Sequence, residues 1–136
     1  MITFDEVAEI LDEIAHSLPQ EFYKYLNGGV NLLPDTVYHP QQTWDGSSLY
    51  VMGHYINDVR GLGRYINIYY GSFVAVYGYC GFDRQREELR KILLHEFTHH
   101  LESMGGEKDL EHKDAMELEQ YKRRQRRNNH FPGTQG

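Results

Sequence analysis

The sequence of 136 residues contains a single cysteine, Cys80. One thiol excludes an internal disulfide, and it excludes a cysteine-based zinc cluster because such a cluster needs several thiolates. Any bound metal ion must therefore be held by histidine, aspartate or glutamate side chains. The low cysteine content is typical of a reducing compartment, so we expect a cytoplasmic protein.

Long apolar runs and a basic leader are also missing. No stretch approaches the ~18 consecutive apolar residues of a transmembrane helix. The first 17 residues contain five acids, where a secretory signal peptide has a basic start followed by an apolar run. The sequence therefore predicts neither a signal peptide nor a contact with a membrane.

Length and composition favour one folded domain. The chain has a mass of 16.0 kDa, and its residues are 40% hydrophobic and 13% aromatic, which is enough for a packed core. We expect a single domain over residues 1–127 and a flexible tail over 128–136.

Positive charge is concentrated near the end of the chain. The run KRRQRR, residues 122–127, holds five of the fourteen basic residues, which leaves nine basic against twenty acidic residues elsewhere. The run contains no interleaved aromatic residues for stacking on bases. A solvated helix end, where positive charge complements the helix dipole, therefore explains the run better than nucleic-acid binding.

The hydrophobic pattern predicts helices at both ends of the chain and strands between them. Thr3 and Glu6 form a capping box at the start of a first helix, whose apolar face consists of Phe4, Val7, Ile10, Leu11 and Ile14. Further elements are expected as a short helix over 21–26, strands over 30–33, 36–38, 49–56, 64–70 and 73–79, and helices over 84–104 and 108–127.

These elements predict an α+β fold with a small, tyrosine-rich mixed or antiparallel sheet. Asp83 is expected to cap the helix over 84–104, and Gly105-Gly106 is expected to end it in a tight turn. The last two helices would then pack as a helical hairpin against the sheet.

The segment LHEFTHHL, residues 94–101, contains His95, Glu96 and His99 with the spacing HExxH. Residues four apart on an α-helix lie one turn apart on the same face, so two imidazoles can bind one zinc ion. The intervening carboxylate can then reach a water molecule on the ion. The helix face opposite the two histidines is apolar and consists of Leu89, Leu93, Phe97, Leu101 and Met104. We therefore predict a zinc site that faces a cleft.

The other histidines are interpreted differently. His100 falls within the apolar face, which favours a hydrogen-bonded core histidine. No role in the site is expected for the remaining five, which are His16, His39, His54, His112 and His130.

Zinc needs a third protein ligand and an open position for water. The long metzincin motif would place a histidine ten residues after His95, but that residue is Gly105. Carboxylates of the last helix are therefore the candidates, because a helical hairpin would bring them close to His99. We favour Asp114, which interrupts an apolar stripe and would be costly to bury without a partner. The alternatives are Glu111, Glu117 and Glu119, the last at the spacing of the thermolysin-like gluzincins.

Three segments together resemble the minimal zincin-like metallopeptidase family, small bacterial proteins with an HExxHH motif and a short acidic segment after it. The segments are LGRYINIYYGSF at residues 62–73, HEFTHHLE on the long helix, and GGEKDLEHKDAMELEQY after it. The resemblance covers most of the chain, although HHLE stands where the commoner form has HHFG. It implies a compact zincin fold, with His95 and His99 as zinc ligands and Glu96 as the catalytic carboxylate.

The predicted function is zinc-dependent hydrolysis of peptide bonds in a peptide or protein substrate, with Glu96 as general base toward a zinc-bound water. An exposed strand within 51–56 or 66–70 is expected to hold the substrate by β-augmentation. Candidate oxyanion donors are Tyr65, Tyr69, Tyr70, Tyr77 and Tyr79. The alternative is a zincin-fold binding or regulatory protein with weak or no catalysis, because the short chain leaves little room for a second lobe.

Overall fold

The computed structural model describes residues 1–42, 48–58, 60–61 and 63–106. Within these residues the chain forms three α-helices, one 3₁₀ helix and five strands, consistent with the predicted small α+β domain. In chain order they are α1 (Phe4–Ser17), the 3₁₀ helix (Gln20–Tyr23), β1 (Val30–Leu33), β2 (Val37–Gln42), β3 (Ser48–Val51), β4 (Gly53–Asp58), β5 (Gly63–Tyr69), α2 (Tyr70–Tyr77) and α3 (Phe82–Gly106). The predicted last helix, the helical hairpin and the tail lie outside the described residues.

The start of α1 confirms the predicted capping box. The Thr3 amide donates to the Glu6 carboxylate at 2.9 Å, and the Glu6 amide donates to the Thr3 hydroxyl at 3.2 Å. Both bonds satisfy amide groups that have no partner within the helix. The buried face of α1 consists of Val7, Ile10, Leu11 and Ile14.

Strand β5 is the centre of a three-stranded sheet with the order β1-β5-β4. It pairs parallel with β1 and antiparallel with β4, and its side chains Ile66 and Ile68 are completely buried. Strands β2 and β3 form a separate antiparallel pair, which we call the β2–β3 ribbon. The single strand predicted over 49–56 is therefore wrong: the chain leaves the ribbon at Met52 and enters a different sheet.

The strand predicted over 73–79 is also wrong, because most of this segment belongs to α2. Valine, phenylalanine and tyrosine dominate the segment and favour a strand. However, Phe73 and Tyr77 lie four residues apart and are both buried, as one face of a helix requires. The buried Ser72 hydroxyl also exchanges two hydrogen bonds with the backbone of Val37, at 2.8 and 3.1 Å. These tertiary contacts outweigh the local strand propensity.

Helix α3 carries the HExxH segment, and both of its ends differ from the prediction. The Gln85 amide donates to the Gly81 carbonyl at 3.0 Å, so Asp83 lies in the first turn, where its charge complements the helix dipole. The helix continues through Gly106 instead of ending at Met104, because a glycine costs only about 1 kcal/mol in a helix. The predicted apolar face is confirmed, since all five of its side chains are at most 2% exposed.

Among the described helices, none combines the length and the apolar character that crossing a membrane requires.

Candidate functional site

A cleft of about 880 Å³ opens between α3, β4 and the β2–β3 ribbon. Helix α3 contributes His95, Glu96 and His99 to its wall, so the three residues of the motif face the same space. This position agrees with the predicted orientation of the two histidines away from the core.

The two histidines are arranged as neighbouring ligands of one metal ion would be. Their Nε2 atoms lie 3.2 Å apart, and their rings are perpendicular, with an angle of 89° between the planes. Two nitrogens at 2.0–2.1 Å from one tetrahedral zinc ion are separated by about 3.3 Å. The pair His95 and His99 therefore fits two adjacent positions of a zinc site.

The environment of His95 favours the neutral imidazole that a metal ion needs. Partial burial lowers the pKa of His95, the nearby His99 lowers it further, and the Glu102 carboxylate partly opposes both effects. A neutral ring keeps a nitrogen lone pair available, so less proton release is needed when a metal ion binds.

Glu96 is a buried carboxyl group, with only 5% of its surface exposed. Burial raises the pKa of Glu96 to about 7, although a hydrogen bond to the backbone of Tyr55 acts in the opposite direction. A carboxyl group with a pKa near neutrality can both accept and return a proton at physiological pH, as a general acid-base catalyst must.

Strand β4 approaches Glu96 closely because residue 53 is a glycine. A Cβ atom at Gly53 would lie 3.1 Å from both Cγ and Oε2 of Glu96, and 3.1 Å from Cγ2 of Ile92. Such distances are shorter than ordinary van der Waals contact, so a larger residue would displace the carboxylate or the strand.

One edge of β4 presents its backbone groups toward the cleft. The Tyr69 amide donates to the Met52 carbonyl at 2.9 Å, and the antiparallel register pairs Gly53 with Ile68. Hydrogen-bonded and non-hydrogen-bonded pairs alternate in an antiparallel ladder, so the backbone groups of Gly53 and Tyr55 point away from β5. Within the described residues this side of β4 is the edge of its sheet, and the Tyr55–Glu96 contact lies on it.

His100 is the hydrogen-bonded core histidine that its position on the helix predicts. Its side chain is completely buried, Nδ1 lies 2.9 Å from the Tyr55 hydroxyl, and Nε2 lies 2.8 Å from the Lys24 carbonyl. Both ring nitrogens are therefore occupied by protein groups, and His100 does not share the orientation of His95 and His99.

The cleft is also lined by residues that the sequence did not place there. His39 and His54, which were expected to have no role in the site, line the cleft together with Tyr50 and Tyr55. One oxyanion donor was expected among five tyrosines, and none of them is among the lining residues: Tyr65, Tyr69, Tyr70, Tyr77 and Tyr79. Alternating hydrophobicity locates a strand, but it does not show which sheet edge faces the helix, so the sequence carried no signal for Tyr50 or Tyr55.

The two stretches expected to hold a substrate by β-augmentation differ in their position in the sheet. Residues 66–69 belong to the central strand β5, which pairs on both sides. The other stretch, 51–56, contains the first four residues of the edge strand β4, which is placed to accept an added strand.

The predicted third ligand, Asp114, and its alternatives Glu111, Glu117 and Glu119 lie outside the described residues. Among the residues that the structure does describe, no group of three histidine, cysteine, aspartate or glutamate side chains is arranged to hold a metal ion. The described part of the site thus consists of two candidate ligands and one candidate base.

Comparison with known proteins gives a fold and no activity. No protein-family model and no curated protein matches the chain. Among solved structures, the chain is similar to a conserved hypothetical protein from Thermus thermophilus, with 29% sequence identity and a TM-score of 0.64. The match covers 77% of this chain and 99% of the other, so the similarity extends over a whole small α+β domain.

Proposed function

We propose that this protein is a zinc-dependent metallopeptidase with a minimal zincin-like fold. The observation that carries the proposal is the pair of Nε2 atoms of His95 and His99, 3.2 Å apart, beside the buried carboxyl group of Glu96 in the same cleft. The spacing of the pair supports a shared metal ion, and the raised pKa of Glu96 supports a base that works near neutral pH.

In this proposal His95 and His99 hold the zinc ion, and a carboxylate of the chain after Gly106 completes the site. Asp114 remains the favoured third ligand, with Glu111, Glu117 and Glu119 as alternatives. Bound zinc supplies Lewis acidity, which polarises a peptide carbonyl and lowers the pKa of a water molecule.

Glu96 moves the proton. Its carboxylate accepts a proton from the attacking water as the new carbon–oxygen bond forms. Glu96 then donates this proton to the leaving amine as the carbon–nitrogen bond of the peptide breaks. Burial supports this cycle, because a carboxyl group with its ordinary pKa accepts a proton poorly at neutral pH and would lose it to solvent before the amine leaves.

The cleft walls orient the substrate in this proposal. An extended peptide would pair with the edge of β4, where the backbone groups of Gly53 are directed away from β5. Leu49, Val51 and Met52 also line the cleft, and these apolar side chains favour substrates with apolar side chains near the cleaved bond.

Two measurements test the proposal. Protein purified without added zinc should contain about one zinc ion per chain by elemental analysis, and His95→Ala and His99→Ala should lose it. Glu96→Gln should retain the zinc while hydrolysis of a peptide library falls about 10²–10⁴-fold, since it removes the general base.

A matched control is His16→Ala. His16 lies on α1, where its Nδ1 is 2.7 Å from the Asp12 carbonyl, so this variant should retain both zinc and activity. A zinc content near zero in the unmutated protein would contradict the metal site. Bound zinc without any hydrolysis, together with an unchanged Glu96→Gln protein, would favour the zincin-fold binding protein instead.

A further inference from the structure

Tyr55 is held at two points by successive turns of α3. Its backbone forms a hydrogen bond with the Glu96 carboxylate, and its hydroxyl lies 2.9 Å from Nδ1 of His100. Glu96 and His100 are four residues apart, so they lie on the same side of the helix. One residue of the edge strand therefore connects the candidate base with the buried histidine one turn later.

The direction of these hydrogen bonds follows from their partners. The Lys24 carbonyl, 2.8 Å from Nε2 of His100, can only accept a hydrogen bond, so Nε2 carries a hydrogen. In the neutral ring Nδ1 is then the acceptor, and the Tyr55 hydroxyl is the donor. The Lys24 carbonyl thus favours the tautomer of His100 in which Nδ1 accepts a hydrogen bond from the Tyr55 hydroxyl.

The turn that presents the Lys24 carbonyl is itself constrained. The next residue, Tyr25, has a φ of +66°, a left-handed conformation that costs a residue with a side chain about 1–2 kcal/mol. The Leu26 amide donates to the Tyr23 carbonyl at 3.0 Å and closes the turn around it. The unfavourable backbone conformation of Tyr25 stands next to the hydrogen bond that the Lys24 carbonyl accepts from His100, which indicates that the surrounding structure fixes the position of this carbonyl.

The Tyr55 hydroxyl is placed to control the contact between β4 and Glu96. On one side β4 is fixed by its ladder with β5. On the cleft side, Gly53 allows the strand to lie against the Glu96 carboxylate, and the hydroxyl of Tyr55 is the side-chain attachment of this strand to His100. Without that attachment, the strand could withdraw from Glu96.

We propose that His100 is a positioning residue that, through the Tyr55 hydroxyl, holds strand β4 at the distance at which the Tyr55 backbone contacts the Glu96 carboxylate. The inference rests on the proposed function, because it assigns His100 a role in placing the base of that reaction. A displacement of about 1 Å at a reacting group can reduce the rate about 10²-fold, so a loose strand would be visible in the kinetics.

Tyr55→Phe tests the inference because it removes only the hydroxyl. We expect kcat to fall about tenfold while the zinc content remains unchanged. The matched control is Tyr70→Phe, because the Tyr70 hydroxyl donates to the Ile2 carbonyl at 2.7 Å and its ring packs on Phe4 at 5.5 Å, and neither contact involves the turn at Lys24. This control should lose comparable stability and keep its kcat, and an equal fall of kcat in both variants would overturn the inference.

Two substitutions of His100 separate the contact with Tyr55 from general packing. Asparagine places an acceptor near the position of Nδ1, whereas glutamine places a donor near the position of Nε2. We expect His100→Asn to retain several-fold more kcat than His100→Gln. Equal losses, or a larger loss in His100→Asn, would contradict the assigned role.

Amide hydrogen exchange provides a readout that does not depend on activity. In His100→Gln, where residue 55 is unchanged, the Tyr55 amide of the zinc-free protein should exchange about tenfold faster than in the unmutated protein, and in Tyr70→Phe its rate should not change. An unchanged rate in His100→Gln would overturn the inference even if the protein is a peptidase. Faster exchange in a protein that neither binds zinc nor cleaves peptides would contradict only the proposed function.

Discussion

The two faces of α3 differ in burial and in chemistry, although their residues alternate along the same few turns. The core face includes Leu93, Phe97 and Leu101, none of which is more than 1% exposed. The cleft face presents His95 and His99, which are exposed and 3.2 Å apart at their Nε2 atoms. Packing stabilises the first face, whereas the second has side chains that contribute little to packing and are suited to binding an ion.

Glu96 lies at the boundary between these faces. It is buried like a core residue, yet it is a carboxyl group that lines the cleft. Burial is unfavourable for the ionised form of this acid, so the fold is less stable where Glu96 is ionised. The comparison therefore predicts that core variants mainly affect stability, cleft variants mainly affect metal binding, and Glu96 affects both.

The largest effect on stability is expected from the core face. Phe97→Ala should lower the free energy of unfolding by about 3–5 kcal/mol, because Phe97 is completely buried and packs on Phe22 and Tyr23. His95→Ala should change the stability of the zinc-free protein by less than about 1 kcal/mol, because its side chain is exposed. Urea denaturation of zinc-free protein measures both values, and similar losses would show that the two faces are not distinct.

A smaller effect is expected from the ionisation of Glu96. Its pKa is raised from an ordinary value of 4.5 to about 7, so the folded state binds this proton more tightly than the unfolded state. Stability from this group is present below pH 4.5 and is lost as the pH rises through 7, by up to roughly 3 kcal/mol. Urea denaturation of the zinc-free protein from pH 5 to pH 8 measures the change.

The comparison with Glu96→Gln isolates this contribution, since glutamine does not titrate. His95 acts in the opposite direction, because its lowered pKa reduces stability as the pH falls. His95 titrates in both proteins, so its contribution cancels in their comparison. The free energy of unfolding of Glu96→Gln, relative to that of the unmutated protein, should therefore rise from pH 5 to pH 8. A difference that stays constant would show that Glu96 has an ordinary pKa.

The features of the molecule that sequence patterns predicted are those that depend on local spacing. The positions of His95, Glu96 and His99 relative to the apolar face follow from 3.6 residues per turn. The capping box at Thr3 depends on residues three apart. Both kinds of feature were predicted because the helix itself brings the residues together.

The features that were missed depend on which elements meet. The Tyr55–His100 contact joins residues 45 positions apart, and the cleft position of His39 depends on where the β2–β3 ribbon lies. The segment that forms α2 has the composition of a strand, but it is a helix in which the Ser72 hydroxyl contacts the backbone of Val37, 35 positions earlier. Local propensity does not contain these long-range contacts.

The smallest effect is expected from a single methyl group at the boundary between the two faces. Gly53→Ala would place a Cβ atom 3.1 Å from the Glu96 carboxylate, so either β4 or Glu96 must shift by a few tenths of an ångström. We expect the free energy of unfolding to fall by about 1 kcal/mol, because the shift costs little packing energy. Hydrolysis should fall by about tenfold, because the rate depends strongly on the position of a reacting group. Gly81→Ala is the matched control, since a Cβ atom there has no neighbour within 4 Å. If Gly53→Ala retains full activity with zinc bound, close contact between β4 and Glu96 is not needed for hydrolysis. The rate would then depend on the cleft face of α3 alone, and not on the packing of β4 at its boundary.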